Sequence, residues 1–462
     1  MQKNFTLKGR KLLFTIAVLF SLGACVLSSC KEKNDALDYD PNKPSVFNDY
    51  SPKQGAVRTR LYIQGENFGT DISKIHVYIG EKALKVIGSN GSEIYCMVPR
   101  RTTSGEVRVV IEGNQTTDYT FAEPFVYTST ITVGTLVGNV DELGKSSIVN
   151  GTFEEAGFDL PTWLLYEPEE NSLFVVEKEK AVRKVDLNER MVSTLITNGQ
   201  AAFRRIQTAT LSPSNDTLFI VDDHGQNNDT KPAIAYTLRS ENYRRVYPYV
   251  YARTSYSCAS HPIDNVMFFN THWGGGIQKA FIDPLTKELT SKELFKTSSA
   301  NVHPNIFFHP SGNFAYLMVG NVIWKTMYNW TTQELEPAVV FAGQYNVKGD
   351  IDAIGTSARF GLLNQGVFVK NPKYTGQGDE YDFYVCDIDN HSVRTISPTG
   401  EVATFAGKGS PSSDGKKEGY IDGDLRKEAR FNKPNGIAYD AENQIFYISE
   451  EGNKRIRTIG IE

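Results

Sequence analysis

Histidine is scarce in this chain, at seven of 462 residues, and no H-E-x-x-H, G-x-S-x-G or paired-cysteine motif is present. The familiar zinc-peptidase, serine-hydrolase and zinc-ribbon signatures are therefore excluded. Cysteine is scarcer still. Of the five, Cys96, Cys258 and Cys386 lie in separate apolar, strand-like runs without metal-type spacing, which reads as buried free thiols rather than a disulfide framework. Beyond Leu27 no apolar run is long enough to span a bilayer. The formal charge is −5, and an acidic balance argues against a nucleic-acid partner, which would need a basic face.

The amino terminus carries what the rest lacks. Lys3, Lys8, Arg10 and Lys11 precede an apolar run from Leu12 to Leu27. That run is shorter and more interrupted than a membrane span and fits an export signal. It ends Leu27-Ser28-Ser29-Cys30, which resembles a bacterial lipobox; Leu22-Gly23-Ala24-Cys25 is a second match. The charged stretch Lys31-Glu32-Lys33-Asn34-Asp35 resembles the surface-export signal of lipoproteins in bacteria with SusC/SusD-type glycan uptake, and it follows Cys30 directly. The resemblance implies a signal peptide over 1–29, acylation at Cys30, a tether over 30–43 and a lipid-anchored, surface-exposed outer-membrane location. An acyl anchor holds a protein to a membrane without spanning it. Loss of residues 1–29 removes four basic and no acidic residues and takes the charge to −9.

From Pro44 the chain changes character. Leu61-Tyr62-Ile63, Ile75-His76-Val77-Tyr78-Ile79, Ile94-Tyr95-Cys96-Met97-Val98 and Val107-Arg108-Val109-Val110-Ile111 alternate between apolar and other positions. Short alternating strands with regular turns predict an immunoglobulin-like sandwich. The series S-P-x-x-G from Ser51, I-x-G-x-N-F-G from Ile63 and C-x-V-P from Cys96 resembles the IPT/TIG domain, over 44–127, a module that usually serves as a spacer or docking unit.

The remainder, 128–462, repeats. Asn364-Gln365-Gly366-Val367-Phe368-Val369, Phe383-Tyr384-Val385-Cys386-Asp387 and Asn390-His391-Ser392-Val393-Arg394 return as Pro434-Asn435-Gly436-Ile437-Ala438-Tyr439, Ile445-Phe446-Tyr447-Ile448-Ser449-Glu450 and Asn453-Lys454-Arg455-Ile456-Arg457. Such units are the signature of a repeat architecture, with β-rich runs and turns at propeller-blade spacing. The motif resembles the NHL repeat, whose blades present Asp-x-x-Asn-x-x-(Ile/Val)-Arg. Strand pairs at 163–176, 206–221, 256–270, 305–319, 366–387 and 436–450 predict six blades. The last has no room for its outer strand, while Ile131–Gly138 stands alone and is similar to the blade-closing Val402–Gly407. We therefore expect an all-β chain, an immunoglobulin-like sandwich followed by a six-bladed NHL-like propeller that an amino-terminal strand closes.

On the loop-rich face, the inter-blade segments 139–162, 344–363 and 408–433 are long and carry Phe153, Phe360 and Phe431, expected to anchor each segment onto the next blade. Asp350-Ile351-Asp352 and Asp422-Gly423-Asp424 hint at calcium, but neither continues into an EF-hand loop. The polar run starting Asp222-Asp223-His224 and the run His272-Trp273-Gly274-Gly275-Gly276 are expected at the same face. Glycine lets a backbone approach a ligand, and an exposed indole offers a flat apolar platform. Asp222, Asp223, His224, His272, Trp273 and His303 are thus the candidate ligand-binding set, the alternative for Trp273 being packing between blades. No metal, cofactor or catalytic residue is assigned.

The ensemble resembles accessory lipoproteins of SusC/SusD-type uptake systems, and the resemblance implies a non-catalytic protein that captures polysaccharide or oligosaccharide for such a complex. Two alternatives stay open: a propeller lyase or hydrolase using His224, His272 and His303, and a protein-docking scaffold.

Overall fold

The computed structural model describes residues 39–461 apart from 100–101, 114–115, 202, 299–301 and 409–414. Cys30 and the expected signal peptide lie outside them. The chain divides into two compact units, the first made of 39–53, 59–99 and 103–125, the second of 126–461 with short pieces that include 54–58.

In the first unit, strands Val46–Ser51, Arg60–Glu66, Glu93–Met97, Lys82–Ser89, Ile75–Ile79, Val107–Ile111 and Thr117–Thr120 pair side by side in that order. Two-residue alternation sets the faces: Leu61 and Ile63 are buried while Arg60 and Gln64 are exposed, and Val107, Val109 and Ile111 are buried while Arg108 is exposed. Cys96 joins this core, its thiol donating to the Leu61 carbonyl at 3.5 Å. Burial pushes that thiol up to about 12.

The second unit is the six-bladed propeller. Its innermost strands are Pro161–Glu167, Ile206–Leu211, Cys258–Ser260, Asn305–Phe308, Leu363–Lys370 and Pro434–Asp440, each starting one antiparallel blade. Apolar clusters lie in the seams: Trp163, Phe174 and Ile196 pack against Ile206, Leu218 and Ile220, joining blades 1 and 2. The ring closes as expected. Ile131–Val137 pairs antiparallel with Arg455–Ile461, Ile131 opposite Ile461 and Thr135 opposite Arg457, so no open blade edge remains at this junction. Cys258 and Cys386 are free and buried like Cys96.

Three blades share a buried arginine that fastens the preceding loop. Arg457, fully buried, donates to Glu450 Oε2 at 2.9 Å, to the carbonyls of Arg430 and Ile421 at 3.3 and 2.9 Å, and to Asp422. Arg394 does the same with Asp387 at 3.0 Å, the Arg359 and Ile351 carbonyls and Asp352. Arg183 repeats it with Glu177 at 3.3 Å, the Gly157 and Val149 carbonyls and Asn150. Each guanidinium also lies over a buried ring: Phe431, Phe360 and Phe158.

Two details of the inter-blade segments differ from or add to the sequence reading. Phe153 does pack onto blade 1, in one buried cluster with Leu164, Leu173 and Val185, and sits under Arg190, but the blade-1 residue equivalent to Phe360 and Phe431 is Phe158, in Ala156-Gly157-Phe158. Three of the four carboxylates that hinted at calcium face protein cations, and the fourth, Asp424, accepts from the N–H groups of Arg426 and Lys427. Asp352 and Asp422 hold the two arginines, and Asp350 pairs with Lys408 and, at 2.9 Å, Lys417.

Candidate ligand cavity

Six strand starts converge at one end of the propeller axis. Thr162, Thr208, Tyr256, Asn305, Asn364 and Asn435, one from each blade, border a cavity of about 530 Å³. Turns between second and third strands add Lys178, Gly320, Asp389 and Glu451, and the segment before blade 4 adds Val302 and His303. This is the face on which both sets of loops were expected.

The floor is made of amides. Asn305 Nδ2 donates to the Asn364 carbonyl at 3.0 Å, and Asn364 Nδ2 donates to the Thr162 and Asn435 carbonyls, each at 3.2 Å. One step deeper, Gln365 reaches past blade 6, from blade 5 to blade 1. Its Oε1 accepts from the Leu164 N–H at 2.8 Å and its Nε2 donates to the Leu164 carbonyl at 2.6 Å. The same Oε1 accepts from the Ile437 N–H of blade 6 at 3.1 Å. Below it lies a second, smaller space of about 220 Å³ bordered by Leu165, Phe307, Val367 and Tyr439. Trp163 stacks on Phe307 there at 5.8 Å and donates its indole N–H to the Ala209 carbonyl. A polar upper chamber and an apolar lower one thus meet at a buried amide whose oxygen accepts from two blades and whose nitrogen donates to one.

Four of the six expected ligand residues gather beside the upper chamber. His303 borders it, its ring 3.7 Å from that of Tyr256 and 4.8 Å from that of His272. The Nδ1 atoms of His272 and His303 are 3.4 Å apart, and Trp273, half-buried, meets His272 edge to face at 5.1 Å. Asp223, buried, accepts from the Tyr256 hydroxyl at 2.9 Å and pairs with Arg205. Burial of the His303 ring and the neighbouring His272 lower its pKa against the opposing pull of Asp223. His303 as a whole is exposed, so solvent opposes part of that lowering. Among the described residues, no three His, Cys, Asp or Glu side chains are placed to hold a metal ion.

The other two expected residues do different work. Asp222 is buried, and its Oδ1 accepts from the N–H groups of Arg204 and Arg205 at 3.0 and 2.8 Å. It therefore occupies in blade 2 the place that Glu177, Asp387 and Glu450 occupy elsewhere, each accepting from the backbone of the preceding inter-blade loop. His224 is buried too, Nε2 against the Ala252 carbonyl at 3.0 Å and Nδ1 accepting from the Gln226 N–H at 3.1 Å. Both fasten loops. The glycine run also serves packing: a Cβ on Gly275, at φ +58°, would lie 2.4 Å from Thr297 Oγ1 and 2.5 Å from a Val302 methyl. Tyr256 and the asparagines escaped the sequence reading, although Asn364 and Asn435 stand at matching positions of the two quoted repeats.

The IPT/TIG domain model matches residues 45–128. The bovine NHL repeat-containing protein 2 is 27% identical over 115 residues, 25% of this chain and 14% of the bovine protein; the chain spans only a small part of that curated relative. Solved structures match over nearly their whole length. An auxiliary nutrient binding protein from Bacteroides ovatus is 31% identical, with a TM-score of 0.72 over 92% of this chain and 100% of that one. A Bacteroides thetaiotaomicron protein designated a phosphatase is also 31% identical, with a TM-score of 0.70 over 92% of this chain and 98% of its own. An auxiliary nutrient binding protein from Bacteroides thetaiotaomicron is 36% identical, with a TM-score of 0.71 over 92% of this chain and 99% of that protein. With that identity over almost the full length of its relative, this chain belongs to the family of the Bacteroides auxiliary nutrient-binding proteins.

Proposed function

We propose that the chain is a non-catalytic glycan-binding lipoprotein of the outer cell surface, which captures polysaccharide for a SusC/SusD-type outer-membrane uptake system. The observation that carries this reading is the axial cavity, with its hydroxyl, amide and ring borders. A sugar ring has an apolar face and polar edges. Tyr256 and His303 offer the flat surfaces, while Thr208, Gln207 and Asn305 offer donors and acceptors. The nutrient-binding designation of the relatives supports capture, and the lipobox at Cys30 supports anchoring. Each site binds weakly alone, and many anchored copies on one polymer supply the retention.

Affinity electrophoresis of the full chain against plant, fungal and host polysaccharides tests the reading. One polymer retards the protein without being shortened, Tyr256→Ala abolishes the retardation, and Trp273→Ala weakens it through His272. A Cys30→Ser variant leaves the membrane fraction. A hydrolase reading draws on the His272–His303 pair and on the phosphatase designation of one relative; shortened polymer or released phosphate that depends on His303 would replace the capture reading.

A further inference from the structure

We infer that the glycan seated in this cavity carries an anionic group, a carboxylate or a sulfate ester, held by Lys178 and Thr162. The inference rests on the capture reading and adds the charge of the ligand.

The carboxylates that border the chamber are each matched within the protein. Asp389 pairs with Lys348 at 2.7 Å, and Glu451 pairs with Lys433 at 3.5 Å while accepting from Asn435 Nδ2 at 2.9 Å. Behind Tyr256, Asp223 pairs with Arg205. Lys433 is thereby engaged, and Lys178 is left over. It borders the cavity, is half-buried, and among the described residues has neither an ion pair nor a side-chain hydrogen bond. Its charge is felt by His303, where it disfavours the imidazolium. A second group beside it is unsatisfied. Thr162 is 4% exposed, its Oγ1 is buried without a hydrogen-bond partner, and it borders the same cavity. The two belong to one corner of blade 1, where the Lys178 N–H donates to the Leu160 carbonyl at 2.9 Å and Pro161 lies opposite Glu177.

A half-buried ammonium without a counter-charge keeps only part of its hydration, and a buried hydroxyl without a partner is costly. Both are donors, and a carboxylate or sulfate oxygen is an acceptor without a proton to give at neutral pH. One anionic group satisfies both, whereas a neutral sugar hydroxyl leaves the charge uncompensated. The acidic chain as a whole, at −5, gives an acidic polymer no general attraction. The local cation is therefore what selects the orientation.

The test is affinity electrophoresis of the full chain on homogalacturonan and hyaluronan, which carry carboxylates, on carrageenan, which carries sulfate esters, and on neutral xylan, mannan and starch. Retention on at least one acidic polymer is expected, and the carboxylate and sulfate arms identify which group is read. Lys178→Met should weaken that retention by about ten- to a hundredfold, the range for losing a hydrogen bond to a charged group. Lys178→Arg should keep most of it, and raising salt from 0.05 to 0.5 M should weaken the wild type more than Lys178→Met. Retention on neutral polymers alone, or equal binding by Lys178→Met, overturns the anionic ligand and leaves glycan capture standing. Retention on no polymer overturns both.

Discussion

Replacing Arg457 with methionine removes a guanidinium but leaves its partners in place. Glu450 is fully buried, and after the change it keeps only the Asn432 N–H at 2.7 Å and Asn453 Nδ2 at 2.8 Å. The Ile421 and Arg430 carbonyls lose a donor each. Breaking a buried pair from one side costs about 3–5 kcal/mol because a charge is stranded. The propeller unit has roughly 330 residues, so its unfolding entropy is on the order of 0.7 kcal/mol per kelvin. A loss of about 4 kcal/mol then lowers its Tm by about 6 °C. The assay is differential scanning calorimetry, in which the sandwich provides an internal reference because the mutation lies in the other unit. The companion variant Arg457→Met with Glu450→Gln removes the stranded charge and keeps an acceptor for Asn432, so it should recover about 1–3 kcal/mol. An Arg457→Met shift below 2 °C, or a double variant no more stable than the single, would refute the argument.

Other outcomes follow from the same geometry. Gly275→Ala forces a β-carbon against Thr297 and Val302 at a left-handed φ; we expect glycan retention to fall severalfold with a loss of about 1–3 kcal/mol, read by electrophoresis and thermal melting together. Cys96, Cys258 and Cys386 are buried and burial raises all three thiols, so a thiol reagent at pH 8 should leave them unmodified until denaturant is added. Burial works to raise the Asp350 carboxyl, but Lys408 and Lys417 outweigh it and hold it below 3.8. The stability it contributes is present above its unfolded pKa and is lost as pH falls through the depressed folded value. An acid titration below about pH 4 should show that loss in the wild type and a smaller one in Lys408→Met with Lys417→Met.

The propeller was legible because each blade announces itself locally. Turn residues separate period-two strands, and the lone strand at Ile131 had no partner but an incomplete last blade. Local signals failed where a position is defined by its neighbours in space. Asp222-Asp223-His224 reads as a polar site, yet Asp222 stands at the second-strand end where Glu177, Asp387 and Glu450 accept loop N–H groups. A repeat alignment through that end would have shown the equivalence. Phe158 was missed because Gly157 replaces the arginine that marks Ala358-Arg359-Phe360 and Ala429-Arg430-Phe431. Tyr256, Lys178 and Thr162 bear no motif at all. They become neighbours only when six blades meet around an axis.

The side chain of Gln365 also decides how the ring is held together. From blade 5 it is tied to the backbone of blade 1 and to that of blade 6, and blade 6 is the one that the strand Ile131–Val137 completes. One amide thereby acts as a keystone for the seam where the first and last blades meet. Loosening it would release three neighbouring blades at once.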